Sequence, residues 1–186
     1  MTNTFDQKLR DLYRRRSVLY EEARFTDFEN DLLNLLEISE SAEDRFGVLS
    51  SLADHYHFIE DDSRARDAIQ QCVALCPERV EGWLGLAEHF HYYELDLDEA
   101  ARNIEIALQK ARTEKCQVRQ VLGVRIRIAL AREMYEVVND SLELLVAYQL
   151  PRGSIDVAFE HDFVPMIPID KVDGIVLQQY KSLVGL

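Results

Sequence analysis

Along the first forty residues the apolar positions recur at three- and four-residue steps, the period of a helix that buries one face. Phe5, Leu9, Leu12, Leu19 and Tyr20 carry this stripe over residues 5–24, interrupted by Arg14, Arg15 and Arg16. Phe28, Leu32, Leu33, Leu35, Leu36 and Ile38 carry a second stripe, which Thr26 or Asp27 can cap and which ends near Ile38. Ser41 opens a third helix with Glu43 and Asp44 in its first turn, where carboxylates meet the positive end of the peptide dipoles. That helix runs to about Ile59. Residues 60–63 form a turn, and a partner helix runs from Arg64 to Leu75 until Pro77 stops it. Two more hairpins follow. One spans Val80 to about Thr113 with a long turn from Tyr93 to Asp98, and without a closing proline its second helix can continue towards Glu114. The other pairs Cys116–Arg132 with Glu136–Tyr148 and ends before Pro151. Beyond it, residues 154–163 alternate in part and Pro165 and Pro168 stiffen the chain. Residues 170–184 predict a last helix with Val172, Ile175, Val176, Tyr180 and Leu183 on its apolar face.

One stretch occurs twice. Leu52-Ala53-Asp54-His55-Tyr56-His57-Phe58 returns 34 residues later as Leu86-Ala87-Glu88-His89-Phe90-His91-Tyr92. Where the copies differ, acid replaces acid and aromatic replaces aromatic. The match extends outward: Leu49 aligns with Trp83, and Ala65 and Ile69 align with Ala100 and Ile104 once one extra residue is allowed in the second turn.

This period and these residue types resemble the tetratricopeptide repeat. Leu49, Leu52, Ala53, Tyr56, Ala65, Ile69, Cys72 and Pro77 fall where that family places large, large, small, aromatic, small, large, small and proline. The resemblance is clearest over residues 46–113. It weakens in the third hairpin, where Arg125 stands at a position the family fills with a large apolar residue. It implies an all-α chain whose helical hairpins form a short right-handed solenoid. Residues 1–40 would be an N-terminal helical cap or a degenerate repeat, residues 41–150 three hairpins, and residues 151–186 a C-terminal tail. The tail either caps the last hairpin or crosses the concave surface. In such stacks the first helix of each hairpin lines that surface. The resemblance therefore places Ser50, Asp54, His57 and Phe58 there beside Leu84, Glu88, His91 and Tyr92, with Arg119, Arg127 or both at a cationic end. The family's lysine and asparagine pattern for gripping a C-terminal carboxylate is missing.

Charge narrows the partner. The formal net charge is −13, and residues 41–100 carry 14 acidic against 4 basic side chains, whereas residues 101–152 carry 9 basic and 6 acidic. So acidic a surface disfavours nucleic acid and anionic membrane, both of which need a surplus of Lys and Arg. A partly cationic protein segment fits it, although surface carboxylates also serve solubility alone. Residues 1–8 are polar and do not read as a secretory leader, and no apolar run reaches the length of a membrane span. Cys72, Cys76 and Cys116 are odd in number and lack metal-type spacing, which suits a reducing cytoplasm; the first two read as core fillers.

The histidines invite a metal reading, but residues two apart on a helix point about 200° away from each other. Neither His55 with His57 nor His89 with His91 can chelate, so one of each pair is expected between helices and the other towards the groove. No phosphate-cradling glycine loop, nucleophile elbow or singled-out carboxylate pair occurs. The expectation is a non-catalytic interaction module (adaptor, chaperone or assembly factor) that takes a partly cationic protein or peptide segment, without cofactor or metal. A homodimer is left open. The format is similar to that of small acidic secretion chaperones built from three such repeats. An antitoxin- or immunity-type inhibitor of a basic effector and a metal-dependent enzyme are the alternatives.

Overall fold

The computed structural model describes residues 4–148 and 161–186. Among them the chain is all-helical, with nine α-helices, one short 3-10 turn and no strand. Neighbouring helices pack in succession, as in a helical-repeat stack. The chain divides into two compact units, Met1–Gly82 and Trp83–Leu186.

The first unit holds α1 (Thr4–Glu21), α2 (Phe25–Glu37), α3 (Ala42–Phe58) and α4 (Asp62–Leu75). Phe5, Leu12 and Leu19 of α1 and Phe28, Leu32 and Leu35 of α2 are buried, as their spacing predicts. Leu33 and Ile38 lie outside that face and are exposed. Neither Thr26 nor Asp27 caps α2. The helix starts earlier, because the Arg24 carbonyl already accepts the Phe28 N–H at 3.3 Å, and Asp27 sits in the first turn holding Arg24 Nε at 2.7 Å. The later starts follow side-chain chemistry. Ser41 Oγ accepts the Asp44 N–H at 3.0 Å, and Asp61 Oδ1 accepts the Arg64 N–H at 3.1 Å. Ala53, Ala65 and Cys72 are buried where small residues were expected, and they let α3 and α4 approach closely. Gly82 meets a related demand: a Cβ there would lie 3.0 Å from Val73 Cγ2 and 3.4 Å from the Val73 backbone nitrogen.

In the second unit α5 (Val80–Tyr92, begun in the first) is followed by α6 (Leu97–Glu114), α7 (Val118–Ala131), α8 (Tyr135–Ala147) and α9 (Gly174–Val184). Asp96 caps α6 by accepting the Glu99 N–H at 3.0 Å, and α6 does run on to Glu114. Ala87, Ala100 and Ala107 are completely buried. Arg125 keeps the inward position that looked unsuitable for a cation. Its guanidinium bonds Glu105 Oε1 at 2.6 Å and Ser141 Oγ at 2.7 Å, so α6, α7 and α8 supply the polar partners it needs.

In the tail, residues 154–160 of the alternating stretch lie outside the described residues. The last helix packs on α8. Its buried face differs from the expected one: Leu177 and Tyr180 point inward, with Tyr180 stacked on the buried Phe163, whereas Ile175 and Leu183 are exposed. The cap decides this rotation. Asp173 accepts the Ile175 and Val176 N–H groups and takes the Asn139 side chain on its own N–H, which fixes how the helix enters.

One turn closes all four hairpins. Ala23, Glu60, Leu95 and Glu133 follow α1, α3, α5 and α7, and each has a left-handed backbone with φ between 55° and 59°. In three of them the next N–H bonds the carbonyl five residues back: Arg24 to Leu19, Asp61 to Tyr56 and Met134 to Ala129. The α1–α2 pair therefore shares the turn of the clearer repeats. Among the described residues no helix is long and apolar enough to cross a membrane.

Two substitutions check this packing. Ala87→Leu overfills the buried contact and is expected to lower unfolding stability by about 1–3 kcal/mol; an unchanged urea midpoint would mean that Ala87 is not enclosed. Glu60→Gly relieves an unfavourable left-handed residue and is expected to raise stability by about 0.5–1 kcal/mol. Destabilisation there would show that the turn does not hold this backbone in solution.

Candidate functional site

In the first unit two side-chain bonds join α1 to α3. The Tyr13 and Ser51 hydroxyls bond each other, and the Tyr20 hydroxyl lies 2.8 Å from His55 Nδ1. This alignment brings an aromatic wall to the α3 surface. The Tyr20 and Phe58 rings lie 4.3 Å apart between centroids, and Phe25 stands 5.6 Å from each. Arg16, one turn before Tyr20, holds its guanidinium carbon 5.2 Å from the centre of the Tyr20 ring.

Ser50, Asp54 and Phe58 follow one another at four-residue steps and so share a stripe of α3. All three are exposed, Phe58 to 53%, and His57 beside them is half-buried. Asp54 is exposed as a residue, but crowding around its carboxyl group pushes the pKa above the usual carboxylate value, and Arg16 offsets this only in part. Among the described residues the Asp54 carboxylate has no hydrogen bond and no ion pair.

The corresponding residues of the second unit are arranged differently. Leu84, expected on the groove, is buried to 4% exposure and serves the interior. The physical reason is its place beside the Ala87 face of α5, which turns inward. Glu88 is half-buried and Tyr92 is 50% exposed. His91, Tyr92 and Arg127 do come together, at a cleft of about 330 Å³ that Tyr135, Asp162 and Met166 also line. Arg127, only 12% exposed, pairs with Asp162 and lies 5.9 Å over the Phe163 ring. His91 Nδ1 is buried without a hydrogen-bond partner. Burial, and secondarily the positive charge of Arg127, lower the pKa of His91.

His55 and His89 are fully buried, whereas His57 and His91 are half-buried, as the two-residue spacing requires. The two buried imidazoles are held differently: His55 by the Tyr20 phenol, His89 by the Glu94 carboxylate at 3.0 Å. Among the described residues no three His, Cys, Asp or Glu side chains converge as metal ligands. Cys72 and Cys76 are buried, and burial pushes the Cys72 thiol up to about 12, far from a reactive thiolate.

Arg16, Tyr20, Phe25 and Asp162 escaped the sequence reading. Tyr20 was legible only as an apolar helix position, and Phe25 only as a residue in a turn. Asp162 lies 35 residues from Arg127, with no local pattern joining them. A comparison with models of known protein families gives no match, and no curated protein matches the chain in sequence.

Buried His55 has a measurable consequence. Its pKa is lowered, first by burial and further by Arg64 and Arg16, with Glu29 acting the other way. A group whose folded pKa lies below its unfolded value, here 6.5, contributes fully above that value. As pH falls below it, the unfolded chain takes the proton first and stability declines, by at most about 1.4 kcal/mol per pH unit for each such histidine. Urea midpoints between pH 7.5 and 5 should therefore fall in the wild type. In His55→Asn, which keeps a polar atom near the Tyr20 hydroxyl, they should fall less. Equal slopes would mean that His55 is already charged when folded.

Proposed function

We propose that the chain is a non-catalytic interaction module of tetratricopeptide-repeat type, an adaptor, chaperone or assembly factor that binds a partly cationic protein segment. The observation that carries this reading is the exposed stripe of α3, where a partly desolvated carboxylate without an ion pair stands one turn from a half-exposed phenyl ring. A carboxylate in that condition gains from an incoming cation, and the ring offers it an aromatic face. The 34-residue repeat and the shared hairpin turn support the repeat assignment. The acidic charge of residues 41–100 would draw a basic segment towards the same region. The reading includes residence in the cytoplasm, which the unpaired cysteines suit. An inhibitor that neutralises a basic effector would use the same chemistry.

Capture from the native source at low salt tests the proposal. The wild-type chain should retain a protein with a basic segment, and retention should fall with added salt, since exposed charges are screened over about 10 Å at 0.1 M. Asp54→Lys combined with Glu88→Lys should retain much less of that protein while keeping its helical circular dichroism. If the double variant captured the same protein equally well, these first-helix faces would not be the site.

A further inference from the structure

The chain repeatedly satisfies a carboxylate and an aromatic ring with a single arginine. Arg64 lies 4.4 Å over the Tyr56 ring while its Nη1 bonds Glu29 at 2.5 Å. Arg79 lies 4.2 Å over the Phe46 ring and pairs with Glu43. Arg127 lies over Phe163 and pairs with Asp162, the residue just before it. In each case one guanidinium serves the ring and the carboxylate together; its plane can stack on a ring while its edge meets a carboxylate, which a lysine ammonium cannot do at once.

A further carboxylate and ring, Asp54 and Phe58, lie one turn apart on the same helix, and among the described residues no arginine lies over the ring or pairs with the carboxylate. On α3, Glu43 and Phe46 stand three residues apart and share Arg79; Asp54 and Phe58 stand four apart, again on one side of the helix. The nearest cation, Arg16, lies on the neighbouring Tyr20 ring and forms no ion pair with Asp54. Phe58 is 53% exposed, and Tyr20 and Phe25 stand against its ring at 4.3 and 5.6 Å, which holds the ring in place and leaves the rest of it open to a partner.

We propose that Asp54 and Phe58 form a receptor for one arginine side chain of a partner protein, the guanidinium lying on the Phe58 ring with its edge on the Asp54 carboxylate. This rests on the cationic-partner reading and deepens it from positive charge in general to arginine in particular. Lysine at the same place meets the carboxylate but forgoes the planar stack.

The test uses the full chain, labelled with nitrogen-15, titrated with two blocked pentapeptides, Gly-Ser-Arg-Ser-Gly and its lysine counterpart. The arginine peptide should shift the amide resonances of Asp54, Phe58 and Tyr20, with an affinity at least about threefold above that of the lysine peptide. Asp54→Asn should weaken binding of both peptides. Phe58→Leu keeps the apolar bulk but removes the ring face, and should reduce the arginine peptide to the level of the lysine one. Asp67→Asn on exposed α4 should change neither. Equal binding of the two peptides, lost in Asp54→Asn, overturns the arginine receptor and leaves the cationic-segment reading in place. An arginine preference that survives Phe58→Leu also overturns the receptor. Absence of shifts on α3 with either peptide overturns both.

Discussion

Burial of small residues on α3 to α6 is the constraint on which the other features depend. Ala53, Ala65 and Cys72 in the first unit and Ala87, Ala100 and Ala107 in the second leave almost no side chain between backbones. Once those positions face inward, the rotation of these four helices about their axes is set. On α3 Ala53 faces α4, whereas His55, about 200° further round the helix, is covered from the other side by Tyr20 of α1 and Phe28 of α2; Asp54, between the two directions, is left exposed. The same rotation on α5 buries His89 and Leu84 and leaves Tyr92 half exposed. The pattern of exposed side chains is thus a by-product of packing.

Charge is organised around rings and helix ends. Most ion pairs here, such as Arg14 with Asp11 or Arg102 with Glu99, are solvent-exposed, and pairs of that kind contribute at most about 1 kcal/mol each. The arginines that matter to the architecture join separate helices. Arg64 of α4 reaches Glu29 of α2, Arg125 of α7 reaches Glu105 of α6, and Arg132 reaches Asp98. With 34 acids and 21 Lys and Arg, carboxylates outnumber their partners, and Asp54 on the outward stripe of α3 is one of those that form no ion pair among the described residues. An acidic chain can in this way join its helices by ion pairs and still present an unfilled carboxylate at its surface.

The turns show how strongly one backbone solution is repeated. Four non-glycine residues adopt the left-handed conformation at matching places, although each bears a modest conformational cost. The cost is tolerated because the turn satisfies carbonyls at the end of one helix and directs the chain antiparallel into the next. No sequence signal marked these residues, since Ala, Glu and Leu are not characteristic of that conformation.

Helix positions, the repeat and the small contact residues were legible from the sequence, because periodicity and residue size act over a few residues of chain. Expected ends at Ile59, Leu75 and Glu114 agree with the observed helices to within a residue, since caps, turns and proline act locally. The two-residue spacing likewise decided that His55 and His57 diverge. Three matters needed the tertiary structure. The rotation of α9 depends on Asn139 meeting the Asp173 backbone, and Arg125 is tolerable inside only because Glu105 and Ser141 arrive from other helices. The aromatic wall beside Asp54 exists because the Tyr13–Ser51 and Tyr20–His55 bonds align α1 with α3 across more than thirty residues of chain. Local patterns determine which residues can face outward; only the folded chain decides which of those faces meet, because the partners that complete a site are brought by helices distant in sequence.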